Sequence, residues 1–189
     1  PSVSGDEAAV ADAVEAALLR YGHLTVARNG NAVIATLDCG ATERVILAGH
    51  LDTVPIKGNV PGAISDDGSE LIGRGSVDMK AGVAVMLSLA ATLTTATRNV
   101  TYVFYDLEEV EATRNGLGRI ARENPEWLEG DFAVLLEPTS AVIEGGCNGT
   151  LRAEVTVPGV AAHSARSWKG VNAIHAAAPL LAALASYTA

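Results

Sequence analysis

Residues 44–50 read RVILAGH, and these seven positions decide the fold class. Val45, Ile46, Leu47 and Ala48 are apolar without alternation, the pattern of a strand buried on both faces. Gly49-His50 then sets an imidazole at the strand's end. Two further runs of this kind follow, Val100 to Tyr105 and Phe132 to Leu136. Between them lie an alanine-rich helix, Ala81 to Leu93, and a helix from Asn115 to Glu123 that closes near Pro125. Upstream, Leu24 to Arg28, the turn Asn29-Gly30 and Ala32 to Leu37 predict a hairpin. Ahead of it Ala9, Val10, Ala13, Val14, Ala17, Leu18 and Leu19 recur at helical spacing. Ser4-Gly5-Asp6-Glu7 is placed to form a capping box for that helix, and Gly22 to stop it. Strands alternating with helices predict an α/β sheet covered on both faces. The polar residues gather where strands end, which is where open α/β sheets build their sites.

The pattern changes after Gly145-Gly146. Leu151 to Val157 alternates and predicts a strand with one exposed face, Pro158 to Lys169 a loop, and Val171 to about Ser186 an alanine-rich helix. One strand and one helix do not close a domain. Residues 1–146 are therefore read as one domain and 147–189 as the beginning of a second that is cut short.

Composition narrows the partners. A net charge of −9 argues against nucleic acid, which needs a basic footprint, and 4% aromatics leave few stacking platforms. No apolar run approaches the ~20 residues of a membrane span, and no charged-then-apolar leader stands at the front. Cys39 and Cys147 lie far apart and form no C-x-x-C pair, which predicts a reducing compartment, the cytoplasm.

Five acids sit at strand ends or beside them: Asp52, Asp78, Glu108, Glu109 and Glu137, with His50 among them. Carboxylates so crowded stay ionised only if a cation neutralises them. Imidazole nitrogen with carboxylate oxygen suits zinc, with cobalt or manganese as substitutes. Each signal alone has a plainer reading: a structural histidine, a solvated Glu-Glu loop, an N-cap at Asp78. Their joint placement is hard to obtain from solvation alone. Gly73-Arg74-Gly75 before a helix suggests a phosphate loop, but Asp78 fills the last glycine position of G-x-G-x-x-G and would repel a pyrophosphate.

The segments AGHLDTVP (48–55), GRGSVDMKAG (73–82), YDLEEV (105–110), LLEPTS (135–140) and AAHSA (161–165) occur in this order. Their set and spacing resemble the dinuclear zinc family of aminoacylase, acetylornithine deacetylase, glutamate carboxypeptidase and succinyl-diaminopimelate desuccinylase. The resemblance implies a three-layer α/β/α catalytic domain with an inserted ferredoxin-like lid that also makes a homodimer. It implies two zinc ions: His50 and Glu137 on one, Glu109 on the other, Asp78 bridging them across a cis Asp78-Met79 bond. Asp52 would be the carboxylate that orients His50. Such a metal pair supplies a nucleophilic water, Glu108 would be its general base, and His163 would reach the opposite subunit's site to donate to the oxyanion. The family's last ligand, a histidine near the C-terminus, has no counterpart in this sequence, and His175 is read as structural.

The implied reaction is hydrolysis of an N-acyl amide bond. The segments NGLGRI (115–120), PEWL (125–128), GCNGTLR (146–152) and AHSARSW (162–168) together look most like actinobacterial desuccinylases, which implies N-succinyl-L,L-2,6-diaminopimelate as substrate and a place in lysine synthesis. Arg166 could fork onto a substrate carboxylate or sit in a solvated loop. An N-acetylornithine deacetylase, another N-acyl-amino-acid hydrolase or carboxypeptidase, and a non-catalytic metal-binding or assembly module remain as alternatives. A retained Glu108 speaks against the last, because a structural site needs no base.

Overall fold

The structure, a computed structural model, describes residues 1–146 and 151–188. The chain divides into two compact units, Pro1–Ile143 and Glu144–Ala189. The boundary expected at residue 147 falls outside the described residues, as does Cys147, while Cys39 is free and half-buried.

In the first unit a five-stranded sheet has the order β1-β2-β6-β3-β7. The strands are β1 (Thr25–Asn29), β2 (Ala32–Leu37), β3 (Arg44–His50), β6 (Asn99–Tyr105) and β7 (Phe132–Leu135), with a separate two-residue pair, β4 (Ala63–Ile64) and β5 (Leu71–Ile72). β2 pairs antiparallel with both β1 and β6, and β3 runs parallel to both β6 and β7. The RVILAGH run is thus an interior strand, as its unbroken apolar character predicts.

The sheet's two faces are covered separately. On one, Val33, Ala35 and Leu37 of β2 and Val100, Tyr102 and Phe104 of β6 pack against α1 (Ala8–Leu18) and α2 (Lys80–Thr92) through Ala11, Val14, Leu18, Val83, Met86 and Ala90. On the other, Ala32, Ile34, Ile46, Ala48, Val103 and Tyr105 meet α3 (Gly116–Glu123) at Ile120 and Leu117, with Trp127 of the 3₁₀ turn Pro125–Leu128. Alternate residues of β6 thus serve opposite layers, the two-residue period of a strand. Three layers, α/β/α, are the architecture the sequence implied.

α1 departs from expectation at its start. No side chain caps it: Glu7 is the N-cap residue and its carboxylate accepts from the Gly5 N–H at 2.7 Å. Ser4 donates to Asp52 instead, because residues 2–4 run extended beside residues 51–53.

α2 lies close to the sheet at Gly82. A Cβ there would overlap the Leu136 carbonyl oxygen and lie 2.8 Å from Met79 Cε. Gly82→Ala should therefore destabilise the first unit by about 1–3 kcal/mol, even though alanine is the better helix former. A urea midpoint equal to or above the parent's would show that the helix gives way without cost.

In the second unit, α4 (Ala173–Ala185) is capped by Asn172, whose side chain accepts from the Ile174 and His175 N–H groups. The expected strand from Leu151 to Val157 does not form. A strand exists through bonds to a neighbour. Among the described residues of this unit the one β pairing is the isolated bridge Val160–Val171. No described helix is long and apolar enough to cross a membrane.

Candidate metal centre

The parallel strands β3, β6 and β7 finish at one edge of the sheet. β3 ends on His50, β6 is followed by Asp106 to Glu109, and β7 leads through Leu136 to Glu137. Asp78 arrives from the head of α2, across an Asp78-Met79 peptide that is cis. The Met79 side chain is fully buried, and its sulfur accepts from the His50 backbone N–H at 3.0 Å, so the helix head is fastened to the strand end.

His50 is 1% exposed and its ring is held on both sides. Nδ1 lies 3.1 Å from the Asp52 carbonyl oxygen and 3.4 Å from its carboxylate. Nε2 faces Asp78 Oδ1 at 3.0 Å and Glu137 Oε1 at 3.7 Å. The Tyr105 ring meets the imidazole edge-on, with centroids 6.2 Å apart. Asp52 is buried, and its oxygens accept the backbone N–H groups of Glu108 (3.0 Å) and Glu109 (3.1 Å). Leu107, just before them, sits at φ +58°, a left-handed conformation that costs a branched residue of order 1 kcal/mol or more. The turn it makes aims both amides at the Asp52 carboxylate.

Ligand atoms of His50, Asp78 and Glu137 lie within 4.8 Å of one another, and so do those of His50, Glu108 and Glu109. The structure thus gathers His50, Asp52, Asp78, Glu108, Glu109 and Glu137 at one edge. The family resemblance implies separate tasks for Glu108 and Glu109; here both carboxylates come within reach of the His50 ring. His163 and Arg166 belong to the second unit. His163 Nδ1 accepts from the Ala165 N–H at 3.1 Å, and Arg166 is exposed in the 3₁₀ segment Ser164–Lys169. His175 is exposed on α4.

The electrostatics of the site favour a cation. Burial raises Glu137, and the charges of Asp78, Glu108 and Glu109 raise it further against His50. Burial likewise raises Glu109, with Asp78 and Glu108 adding to it. For His50, burial favours the neutral ring, but the Asp52 hydrogen bond and the Glu137 charge outweigh it and lift the group to about 9. Burial also opposes the Asp52 charge, yet the bonds from His50, the Glu108 N–H and Ser4 hold that carboxyl down at about 2. Acids that raise one another around a shared imidazole fit a divalent metal, because hard oxygen with imidazole nitrogen is its donor set.

Three groups around the site carried no reading as site residues in the sequence: Ser4, Lys80 and the Arg119–Asp106 pair. Lys80 Nζ donates to Ser2 Oγ (2.7 Å) and to the carbonyl of Leu51 (2.9 Å), between His50 and Asp52. Arg119 grips Asp106 with both terminal nitrogens, at 3.2 and 2.7 Å. Lys80 had a signal, its place two residues after Asp78. Arg119 had none.

Comparison with known proteins identifies the family. Residues 46–185 match the model of peptidase family M20/M25/M40. The succinyl-diaminopimelate desuccinylase of Corynebacterium glutamicum is 48% identical over the whole of this chain and 52% of its own length. A Mycobacterium tuberculosis protein named as a desuccinylase of that kind, DapE, is 53% identical over the whole chain and 53% of its own length. The chain spans about half the length of these curated relatives. Among solved structures, a tripeptidase from Staphylococcus aureus has a TM-score of 0.66 at 23% identity, covering 96% of this chain and 52% of its own. Aminopeptidase PepT from Bacillus cereus has 0.63 at 20%, with the same coverage. At these identities the structural likeness speaks to the fold.

Proposed function

We propose, from the premise that this chain belongs to peptidase family M20/M25/M40, that it carries the metal-binding half of an amidohydrolase whose substrate is N-succinyl-L,L-2,6-diaminopimelate. The observation that carries amide hydrolysis is the His50 imidazole, buried on Asp52 and faced by two sets of carboxylates. The desuccinylase reading is supported by relatives of that name at 48% identity or more across the chain.

In this reading the cofactor is a pair of Zn²⁺ ions, with Co²⁺ or Mn²⁺ as substitutes. His50 and Glu137 would hold one, Glu109 would contribute to the other, and Asp78 would serve both. Bound there, the ions would polarise the scissile carbonyl and make a water acidic enough to attack near neutral pH. Asp52 fixes the tautomer and direction of His50. Glu108 takes the proton of the attacking water and returns it to the nitrogen of the breaking C–N bond. The products are succinate and L,L-diaminopimelate. His163, in the lid that begins near residue 147, donates to the oxyanion in the partner subunit of a homodimer, and Arg166 accepts a substrate carboxylate. The small anionic substrate, acted on in lysine synthesis, places the enzyme in the cytoplasm.

The test is hydrolysis by the complete protein with its metal removed and restored. Chelation should abolish release of succinate, and zinc should bring it back. N-succinyl-diaminopimelate should be turned over well above N-acetylornithine. Activity indifferent to chelation would reject the metal, and a preference for the acetyl substrate would move the protein to the deacetylases.

A further inference from the structure

Asp52 has no solvent-exposed surface, so each partner of its carboxylate can be named. Oδ1 takes the Glu108 N–H at 3.0 Å and faces His50 Nδ1 at 3.4 Å. Oδ2 takes the Glu109 N–H at 3.1 Å and the Ser4 hydroxyl at 2.7 Å. Three of these four groups belong to the site. The fourth comes from the opposite end of the sequence and makes the shortest contact. An O–H donated to a carboxylate is among the stronger hydrogen bonds, and losing it in a sealed position leaves a lone pair that water cannot satisfy.

The strip that carries Ser4 is fixed without that hydroxyl. Val3 bridges to Thr53 in parallel, the Thr53 N–H donates to Ser2 O at 2.9 Å, and the Ser4 N–H donates to Thr53 O at 3.1 Å. Ser2 Oγ donates to Leu51 O at 2.7 Å and itself accepts from Lys80 Nζ. The Ser4 hydroxyl also lies 3.4 Å from Thr53 O, but its 2.7 Å contact with Asp52 Oδ2 is far the shorter, so its proton goes to the carboxylate.

We propose that Ser4 is a positioning residue of the metal centre, its hydroxyl locking the Asp52 carboxylate and, through it, the His50 ring and the Glu108–Glu109 backbone. This rests on the reading of Asp52 as the carboxylate that orients His50.

The experiment uses Co²⁺, whose absorption reports its ligand geometry. Affinity is measured by competition with a chromophoric chelator in the parent, Ser4→Ala, Ser4→Thr, Asp52→Asn and the Ser4→Ala/Asp52→Asn double variant. Ser4→Ala should weaken binding by about 3–30-fold, toward the lower part of what loss of a ligand's own partner costs. It should also shift the cobalt spectrum, Ser4→Thr should restore both, and in the Asp52→Asn background the same change should cost less than about twofold, because the two act in series. Parent-like affinity and spectrum in Ser4→Ala overturn the inference, and so does an equal loss in both backgrounds. Should Ser4→Ala lose its thermal transition, the decision passes to Ser4→Cys, similar in shape with a weak donor: parent-like cobalt binding there overturns the inference, and weakened binding supports it. A parent that binds no cobalt takes down the metal reading itself, an outcome distinct from the others.

Discussion

Glu108→Gln in the complete protein should leave metal content near normal and lower turnover by about 10²–10⁴. The substitution keeps size and shape, and the hydrogen bond from residue 108 to Asp52 is made by the backbone N–H, so the turn at Leu107 should survive. What is lost is the oxygen that accepts a proton. Glu109→Gln is the necessary counterpart. If Glu109 is a ligand and Glu108 the base, Glu109→Gln loses metal while Glu108→Gln keeps it. The proximity of both carboxylates to His50 gives this pair of measurements its force, since geometry alone allows either to face an ion. Metal loss in Glu108→Gln with retention in Glu109→Gln would exchange the roles.

The parts of the fold that the sequence discloses are those whose cause is local. β3 and β6 are legible because strands buried on both faces need unbroken apolar runs, and the β1–β2 hairpin because Gly30 supplies the positive φ its turn requires. The clustering of His50, Asp52, Asp78, Glu108, Glu109 and Glu137 is legible because parallel strands bring their ends together. Ser4 was not, since Ser-x-x-Glu ahead of an apolar run has the same appearance whether the serine caps its helix or bonds a carboxylate 48 residues away. The alternation from Leu151 to Val157 misled for a related reason: a two-residue period shows which faces a strand would have, not whether a partner is present to pair with it. β4 and β5, two residues each, are too short to carry any period.

Arg119→Met should destabilise the first unit by about 2–4 kcal/mol, below the ~3–5 kcal/mol of a fully buried pair because the guanidinium is 21% exposed. The Asp106 side chain is only 4% exposed and opens the segment that carries Glu108 and Glu109. Arg119 holds it through a two-pronged bond while Nε and Nη2 bond the side chain and carbonyl of Asn29 at 2.7 and 2.9 Å, so one guanidinium ties the hairpin tip to the site segment. Gly116 closes the other side: its N–H donates to Asp106 O at 2.8 Å, and a Cβ there would collide with the Asp106 side chain. Methionine fills the space of the arginine stem but leaves a carboxylate sealed without a cation, which costs more than the pair gains. Two readouts separate this from ordinary packing loss. Arg119→Met/Asp106→Asn removes the stranded charge and should recover part of the stability, a positive coupling between neighbours. Metal affinity should fall in Arg119→Met, measured below its unfolding midpoint, because the Glu108–Glu109 segment loses its anchor. An unfolding free energy within about 0.5 kcal/mol of the parent's would make the pair no more than a surface contact, and a double variant less stable than Arg119→Met would show that the buried charge is not the source of the cost.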